Sequence, residues 1–178
     1  ADIAADLGIH VVAGVGEAIP GDDRVHNTLV ALDPDGDLCA VYRKLHLYDA
    51  FGGRESDFIR AGEIDEPETF TVDDIVFGMQ TCYDLRFPEV TRRIVDAGAH
   101  VLCMPAQWVP GPLKEDHWTT LIRARAIENT VYVAAADQSA PTGAGCSLIV
   151  DPMGVTIANL GDDEPFVVTR SLPLSSDT

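Results

Sequence analysis

Gln80-Thr81-Cys82-Tyr83-Asp84-Leu85-Arg86-Phe87-Pro88-Glu89 joins two different patterns. Ahead of it, Ile75 to Gln80 is a short apolar run that predicts a β-strand. Behind it, Pro88 to Ala97 reads as a helix, with Pro in its first turn and Gly98 after its end. Strand, turn and helix in that order place Cys82 at a strand end, where a side chain projects from a tight turn into a cleft. The serine elbow of hydrolases follows the same logic, but this segment lacks that glycine pattern. Taken alone, Cys82 is as readily a buried thiol as a nucleophile, because free cysteines are commonly buried.

Working outward, hairpins alternate with helices. Ala1 to Leu7 predicts the end of an amphipathic helix closed by Gly8, and His10 to Gly14 a buried strand. Asn27–Leu32 and Leu38–Tyr42 flank the turn Asp33-Pro34-Asp35-Gly36; Glu68–Val72 and Ile75–Gln80 flank Asp73-Asp74. Further strands are predicted at His100–Met104, Val131–Ala136, Ser147–Val150, Val155–Ala158 and Phe166–Arg170, and a longer helix over Glu115–Thr130. Leu45 to Glu63 is a long irregular stretch, a kind of loop that is often functional in a compact domain. The pattern is α and β in layers, and its antiparallel hairpins argue against a simple doubly wound parallel sheet.

The 178 residues are 46% hydrophobic and 7% aromatic, which suits one globular domain with a sizeable core. The net charge of -17 would repel nucleic acid and anionic lipid, so neither is an expected partner. No apolar run is long enough to span a bilayer. Cys39, Cys103 and Cys146 sit in apolar runs and read as small buried hydrophobes, and reduced thiols fit a cytoplasmic protein. His10, His26, His46, His100 and His117 form no i, i+4 pair and no cysteine cluster accompanies them, so neither a metal nor another cofactor is expected.

Only Lys44 and Lys114 are lysines; the other ten basic residues are arginines. Lys44, in Tyr42-Arg43-Lys44-Leu45-His46-Leu47, follows a predicted hairpin strand. A lysine there is usually solvated, but beside Cys82 it becomes a candidate oxyanion stabiliser, with the Tyr83 backbone N–H as a second donor. Glu55, in the long loop, gains weight only if that loop folds over the cleft. Gln107, Trp108 and the Pro110-Gly111-Pro112 loop follow a strand and are candidates for the pocket lining, as against rigid loop packing. Arg54 or Arg60 could bind a substrate carboxylate. His46 or His117 as the base of a Cys–His hydrolase is the rival arrangement, against the commoner reading of each as a structural histidine.

These stretches, with Ala124-Arg125-Ala126-Ile127-Glu128-Asn129 and Ser147-Leu148-Ile149-Val150-Asp151-Pro152-Met153-Gly154, resemble the nitrilase superfamily of carbon–nitrogen hydrolases, most closely its Nit and omega-amidase branch. The resemblance implies an α/β fold, a four-layer α-β-β-α sandwich that pairs with a second copy as a dimer or higher oligomer. It implies hydrolysis of a small amide to acid and ammonia through a cysteine thioester. Lys44 matches the family lysine, Cys82 its nucleophile and Glu55 a supporting glutamate, while Arg86 and Glu128 resemble a structural ion pair that positions the cysteine turn. The family's general-base glutamate has no match: Glu17 is the only glutamate ahead of Lys44, and its neighbours differ, so it reads as an exposed loop residue. The expectation is a single domain over 1–178 that lacks the N-terminal part of the fold, with Leu172-Pro173-Leu174-Ser175 raising the same question at the other end. A chain so incomplete could also serve as a non-catalytic scaffold or binding module.

Overall fold

The computed structural model describes residues 1–50 and 52–161. The strand predicted at Phe166–Arg170 lies outside them. Among the described residues two sheets carry the fold. The first is antiparallel, β1 (Val11–Ala18), β2 (Val25–Leu32) and β3 (Leu38–Arg43), in that order. The second has six strands in chain order: β4 (Thr69–Val72), β5 (Ile75–Met79), β6 (Val101–Ala106), β7 (Tyr132–Asp137), β8 (Leu148–Val150) and β9 (Thr156–Asn159). Its centre, β5-β6-β7, is parallel, and its flanks are antiparallel hairpins. The sheet is therefore mixed, as the alternation of hairpins and helices predicts.

Strand alternation assigns each side chain to a layer. Leu29, Ala31, Ala40 and Tyr42 of the first sheet pack against Phe70, Met79, Phe77 and Cys103 of the second, forming a core between the sheets. Leu102 and Met104, on the other face of β6, join a larger core under α2 (Pro88–Asp96) and α3 (Lys114–Asn129). Gly78 makes the fit with α2 possible: a Cβ there would stand 2.0 Å from Ile94 Cγ2. The result is an α/β sandwich of helices, sheet and sheet. The short helix α1 (Asp2–Leu7) precedes it and ends, as predicted, on Gly8 in the left-handed conformation.

Two local expectations change. The first strand is not buried: β1 is longer than predicted and none of its residues is fully inaccessible, because it forms the edge of the smaller sheet. Glu17 is not a loop residue but belongs to β1. The described residues of the Leu45–Glu63 stretch are irregular apart from the 3-10 turn Glu55–Asp57, and the stretch returns beside β2 through Val25 N–H to Phe58 O and Arg60 N–H to Val25 O.

Candidate active site

The parallel strands β5, β6 and β7 run the same way, so their carboxyl ends open on one edge of the sheet. Such an edge is where open α/β sheets place their ligands. Cys82 follows β5, Gln107 and Trp108 follow β6, and Asp137 ends β7. Cys82 opens a 3-10 turn that runs to Arg86 and holds a left-handed backbone, with φ 49°. A non-glycine residue in that region is uncommon and persists only where its surroundings hold it. Here the hold is visible. Asp84, fully buried, accepts hydrogen bonds from Tyr42 Oη–H at 2.6 Å, the His46 N–H at 2.9 Å and the Thr81 N–H at 3.3 Å. Its carboxylate also lies 3.0 Å from His46 Nδ1. Thr81 Oγ1–H donates to Pro105 O at 2.8 Å. At the far end of the turn, Arg125 Nη2–H donates to Leu85 O at 2.7 Å.

That last contact corrects the expected ion pair. Glu128 is bound by Arg125, three residues earlier on α3, at 2.9 Å, and not by Arg86. Arg125 is buried and faces the turn, whereas Arg86 points along the other side of it. The Arg86 guanidinium lies 5.0 Å from the Trp108 ring centroid and 5.9 Å from that of Tyr83, and Nη2 reaches His117 Nδ1 at 3.3 Å. It makes no ion pair among the described residues.

Lys44 is nearly inaccessible, at 2%. Its Nζ pairs with Glu55 Oε2 at 2.5 Å, and the same oxygen accepts the Tyr48 N–H at 2.6 Å. Asn27 Nδ2–H reaches the other Glu55 oxygen at 3.5 Å. The long loop thus folds back, bringing Glu55 to Lys44. Burying an ammonium is costly unless it is paired, so the Glu55 carboxylate is what allows Lys44 to stay charged beside the thiol. Burial pushes the Cys82 thiol up to about 11. The Lys44 charge pulls it down; Glu55, Asp137 and Asp84 push it further up. The resting site therefore holds a protonated thiol, and Cys82 Sγ–H faces the Gln107 carbonyl at 3.7 Å.

A narrow cleft beside Cys82 is lined by Tyr48, Tyr83, Arg86, Trp108, Val109 and Lys114. Trp108 is thus at the site, although its indole is also core: it is buried, packs on Trp118 and donates Nε1–H to Lys114 O at 2.8 Å. Gln107 contributes its backbone carbonyl, while its side-chain amide donates to Thr142 O. Lys114 Nζ lies 3.3 Å from Tyr48 Oη and 5.1 Å from its ring centroid. The sequence singled out Lys114 only by its rarity. Arg54 and Arg60 do not line this cleft: they are exposed and paired with Asp57 and Asp22.

Neither histidine of the rival arrangement is hydrogen-bonded to Cys82 among the described residues. The His46 ring is stacked on Phe87 with centroids 3.6 Å apart and its Nδ1 is held at Asp84; His117 Nδ1 is held at Arg86. Glu17 is clasped by Arg43 through two bonds of 2.6 and 2.7 Å, which hold its carboxyl down to about 2. Alternation along the strands turns the Glu17–Arg43 pair away from the face that leads to Lys44. A larger cleft, of about 590 Å³, lies between β3, residues 60–68 and α2. Cys82, Lys44 and Glu55 do not line it, so the chemistry stays with the narrow cleft.

The fold is that of a family: residues 1–176 match the carbon-nitrogen hydrolases, and the chain belongs to them. It is 44% identical over 167 residues to the deaminated glutathione amidase of Escherichia coli O157:H7, covering 94% of this chain and 60% of the relative. It is 40% identical over 164 residues to the 2-oxoglutaramate amidase of Bacillus subtilis, covering 90% of this chain and 61% of the relative. Among solved structures it is similar to the amidase of Nesterenkonia sp. AN1 (TM-score 0.81, 28% identity), with 91% of this chain and 60% of that one covered. That amidase was captured with the acetamide moiety of fluoroacetamide on its active-site cysteine. The chain thus spans about three fifths of the length of these relatives.

Proposed function

We propose that the protein to which this chain belongs hydrolyses small amides to acid and ammonia through a thioester on Cys82. The observation that carries the reading is the meeting of the Cys82 turn and the buried Lys44–Glu55 pair at the carboxyl ends of three parallel strands. A thiol held near 11 is a poor nucleophile at neutral pH, so a general base must take its proton as it attacks. That role falls to the glutamate that the family resemblance places ahead of Lys44, and Glu17, locked to Arg43, is not it. Attack on the amide carbonyl forms a tetrahedral oxyanion. Lys44 and the Tyr83 N–H stabilise it; opening N–H groups of a helix have no intrahelical acceptor and are available for this. Collapse of the intermediate breaks the C–N bond, the base returns the proton to the leaving nitrogen, and water then cleaves the thioester. Glu55 holds Lys44 in place and charged.

The substrate class in this reading is a short amide with a carboxylate at its far end. Arg86 and Lys114 give an otherwise acidic protein two cationic side chains in the cleft beside Cys82. A relative named 2-oxoglutaramate amidase and others named omega-amidases point the same way. A cytoplasmic homodimer completes the reading: the family resemblance suggests the pairing, and the free thiols fit a reducing compartment. Among the described residues no helix is long and apolar enough to cross a membrane.

The test uses succinamate and its uncharged analogue butyramide. The unmodified protein should release ammonia from succinamate faster than from butyramide, and mass spectrometry of a quenched reaction should find the acyl group on Cys82. Cys82→Ala should abolish both the adduct and turnover; ammonia release that survives this substitution would sink the proposal.

A further inference from the structure

The Gln107–Trp108 peptide group has Cys82 on one side and a carboxylate on the other. Its C=O accepts the Cys82 S–H at 3.7 Å, and its N–H donates to Asp137 Oδ1 at 2.7 Å. In a trans peptide the C=O and N–H point in opposite directions, so whatever fixes the N–H also fixes the direction of the carbonyl. The second Asp137 oxygen accepts the Gly145 N–H at 3.0 Å. One carboxylate therefore joins the segment after β6 to the segment before β8. Around it, Ala144 N–H donates to Trp108 O at 2.8 Å and Gln107 Nε2–H to Thr142 O at 3.2 Å. Asp137 is itself held by its backbone, through its N–H to Ser147 Oγ at 2.9 Å. Gly143 lets the second segment close: a Cβ there would stand 1.9 Å from Gln138 O.

We propose that Asp137 is a positioning residue that locks the Gln107–Trp108 peptide plane against Cys82, so that the thiol is presented to the cleft in one orientation. The inference rests on the proposal that Cys82 is the nucleophile, but it concerns a residue that does not touch substrate. The two hydrogen bonds act at the near end of the peptide, and a reacting atom displaced by 1 Å typically loses about 100-fold in rate. The carboxylate has a second, electrostatic effect on the same sulfur. Of the charges acting on Cys82, Lys44 favours the thiolate, whereas Glu55, Asp137 and Asp84 oppose it. Burial keeps part of the Asp137 population protonated near neutral pH, since it raises the carboxyl to about 6.

Geometry and charge separate in two variants. Asp137→Asn keeps an oxygen for the Trp108 N–H, loses the acceptor of the Gly145 N–H and removes the charge; Asp137→Ala removes both acceptors and the charge. The measurements are kcat and KM for amide hydrolysis, and the rate of Cys82 alkylation by iodoacetamide from pH 6 to 11. Each is made on the protein whose melting temperature has been recorded. Asp137→Asn should keep kcat within about tenfold and move the alkylation profile to lower pH. Asp137→Ala should lower kcat by about 100-fold with a much smaller change in KM. The inference is overturned if Asp137→Ala retains kcat within twofold. The alkylation profile of Asp137→Asn reads the charge alone, and the kcat of Asp137→Ala reads the positioning. Should Asp137→Ala not fold, Asp137→Ser, whose hydroxyl is one bond shorter than the carboxylate, takes its place under the same twofold criterion. An unimpaired kcat there condemns the role of Asp137, whereas turnover that survives Cys82→Ala condemns the nucleophile.

Discussion

Replacing Arg125 with Met removes the anchor at the far end of the cysteine turn while keeping much of the side-chain volume. Two bonds go: Nη2–H to Leu85 O at 2.7 Å, which is buried, and Nη1–H to the half-exposed Glu128 carboxylate at 2.9 Å. A hydrogen bond from a charged donor contributes about 1.5–3 kcal/mol, and the Leu85 carbonyl is left with no partner of comparable strength. The Glu128 contact adds less than about 1 kcal/mol, because solvent screens it. Arg125 Nε, buried with no acceptor among the described residues, is a cost in the parent that Met relieves. The net loss is about 2–3 kcal/mol. For a chain of this size that lowers the melting temperature by about 4–12 °C. Differential scanning calorimetry on Arg125→Met, Glu128→Ala and Arg86→Met gives the comparison. The first should fall by that amount and the other two by no more than about 3 °C. A Glu128→Ala loss as large as that of Arg125→Met would refute the assignment, since it would place the stabilising contact in the ion pair rather than in the Leu85 carbonyl.

Two further outcomes follow from packing and titration. Gly78→Ala drives a Cβ into Ile94 Cγ2 and should destabilise by about 1–3 kcal/mol. Combining it with Ile94→Ala, which removes Cγ2, should cost less than the sum of the two single substitutions in denaturant titrations, and strict additivity would argue against the contact. The Cys82 thiol, raised to about 11, binds its proton more tightly folded than unfolded. Its contribution to stability is therefore complete below about pH 8.5 and is lost as pH rises toward 11. The difference in unfolding free energy between the unmodified protein and Cys82→Ala should shrink over that interval. A gap that widens with pH would contradict the direction of the shift.

The sequence carried most of the strand and helix order because turn residues mark each change of period. Asp33-Pro34-Asp35-Gly36, Asp73-Asp74 and Gly98 all punctuate elements close to where the structure ends them. Residues brought together over long distances were legible only through the family resemblance. Taken alone, Lys44 reads as a solvated lysine and Glu55 as a loop carboxylate; burial of the ammonium and its pairing are visible only in the structure. The Arg86–Glu128 pairing failed because residue types alone do not say which of two nearby arginines faces a turn; the direction of Arg125 on α3 decides it. Asp137 was missed because a lone carboxylate closing an alanine-rich strand carries no motif. Its role lies in the backbone groups it binds, and backbone groups leave no trace in residue identity. Lys114 was visible through its rarity, but rarity gave it no location.

Both lysines of this chain are buried, Lys44 at 2% exposure close enough to act on the Cys82 thiol and Lys114 at 8% in the cleft lining. Reagents that couple through side-chain amines ordinarily meet a protein as a field of exposed lysines. The two such targets in this chain are shielded and lie near the reactive thiol. Acylating cross-linkers and amine-reactive dyes should therefore label these side chains slowly, and any labelling that does occur reports on opening of the cleft. A slow acetylation or carbamylation rate at Lys44 and Lys114 becomes a gauge of how often the site is exposed to solvent.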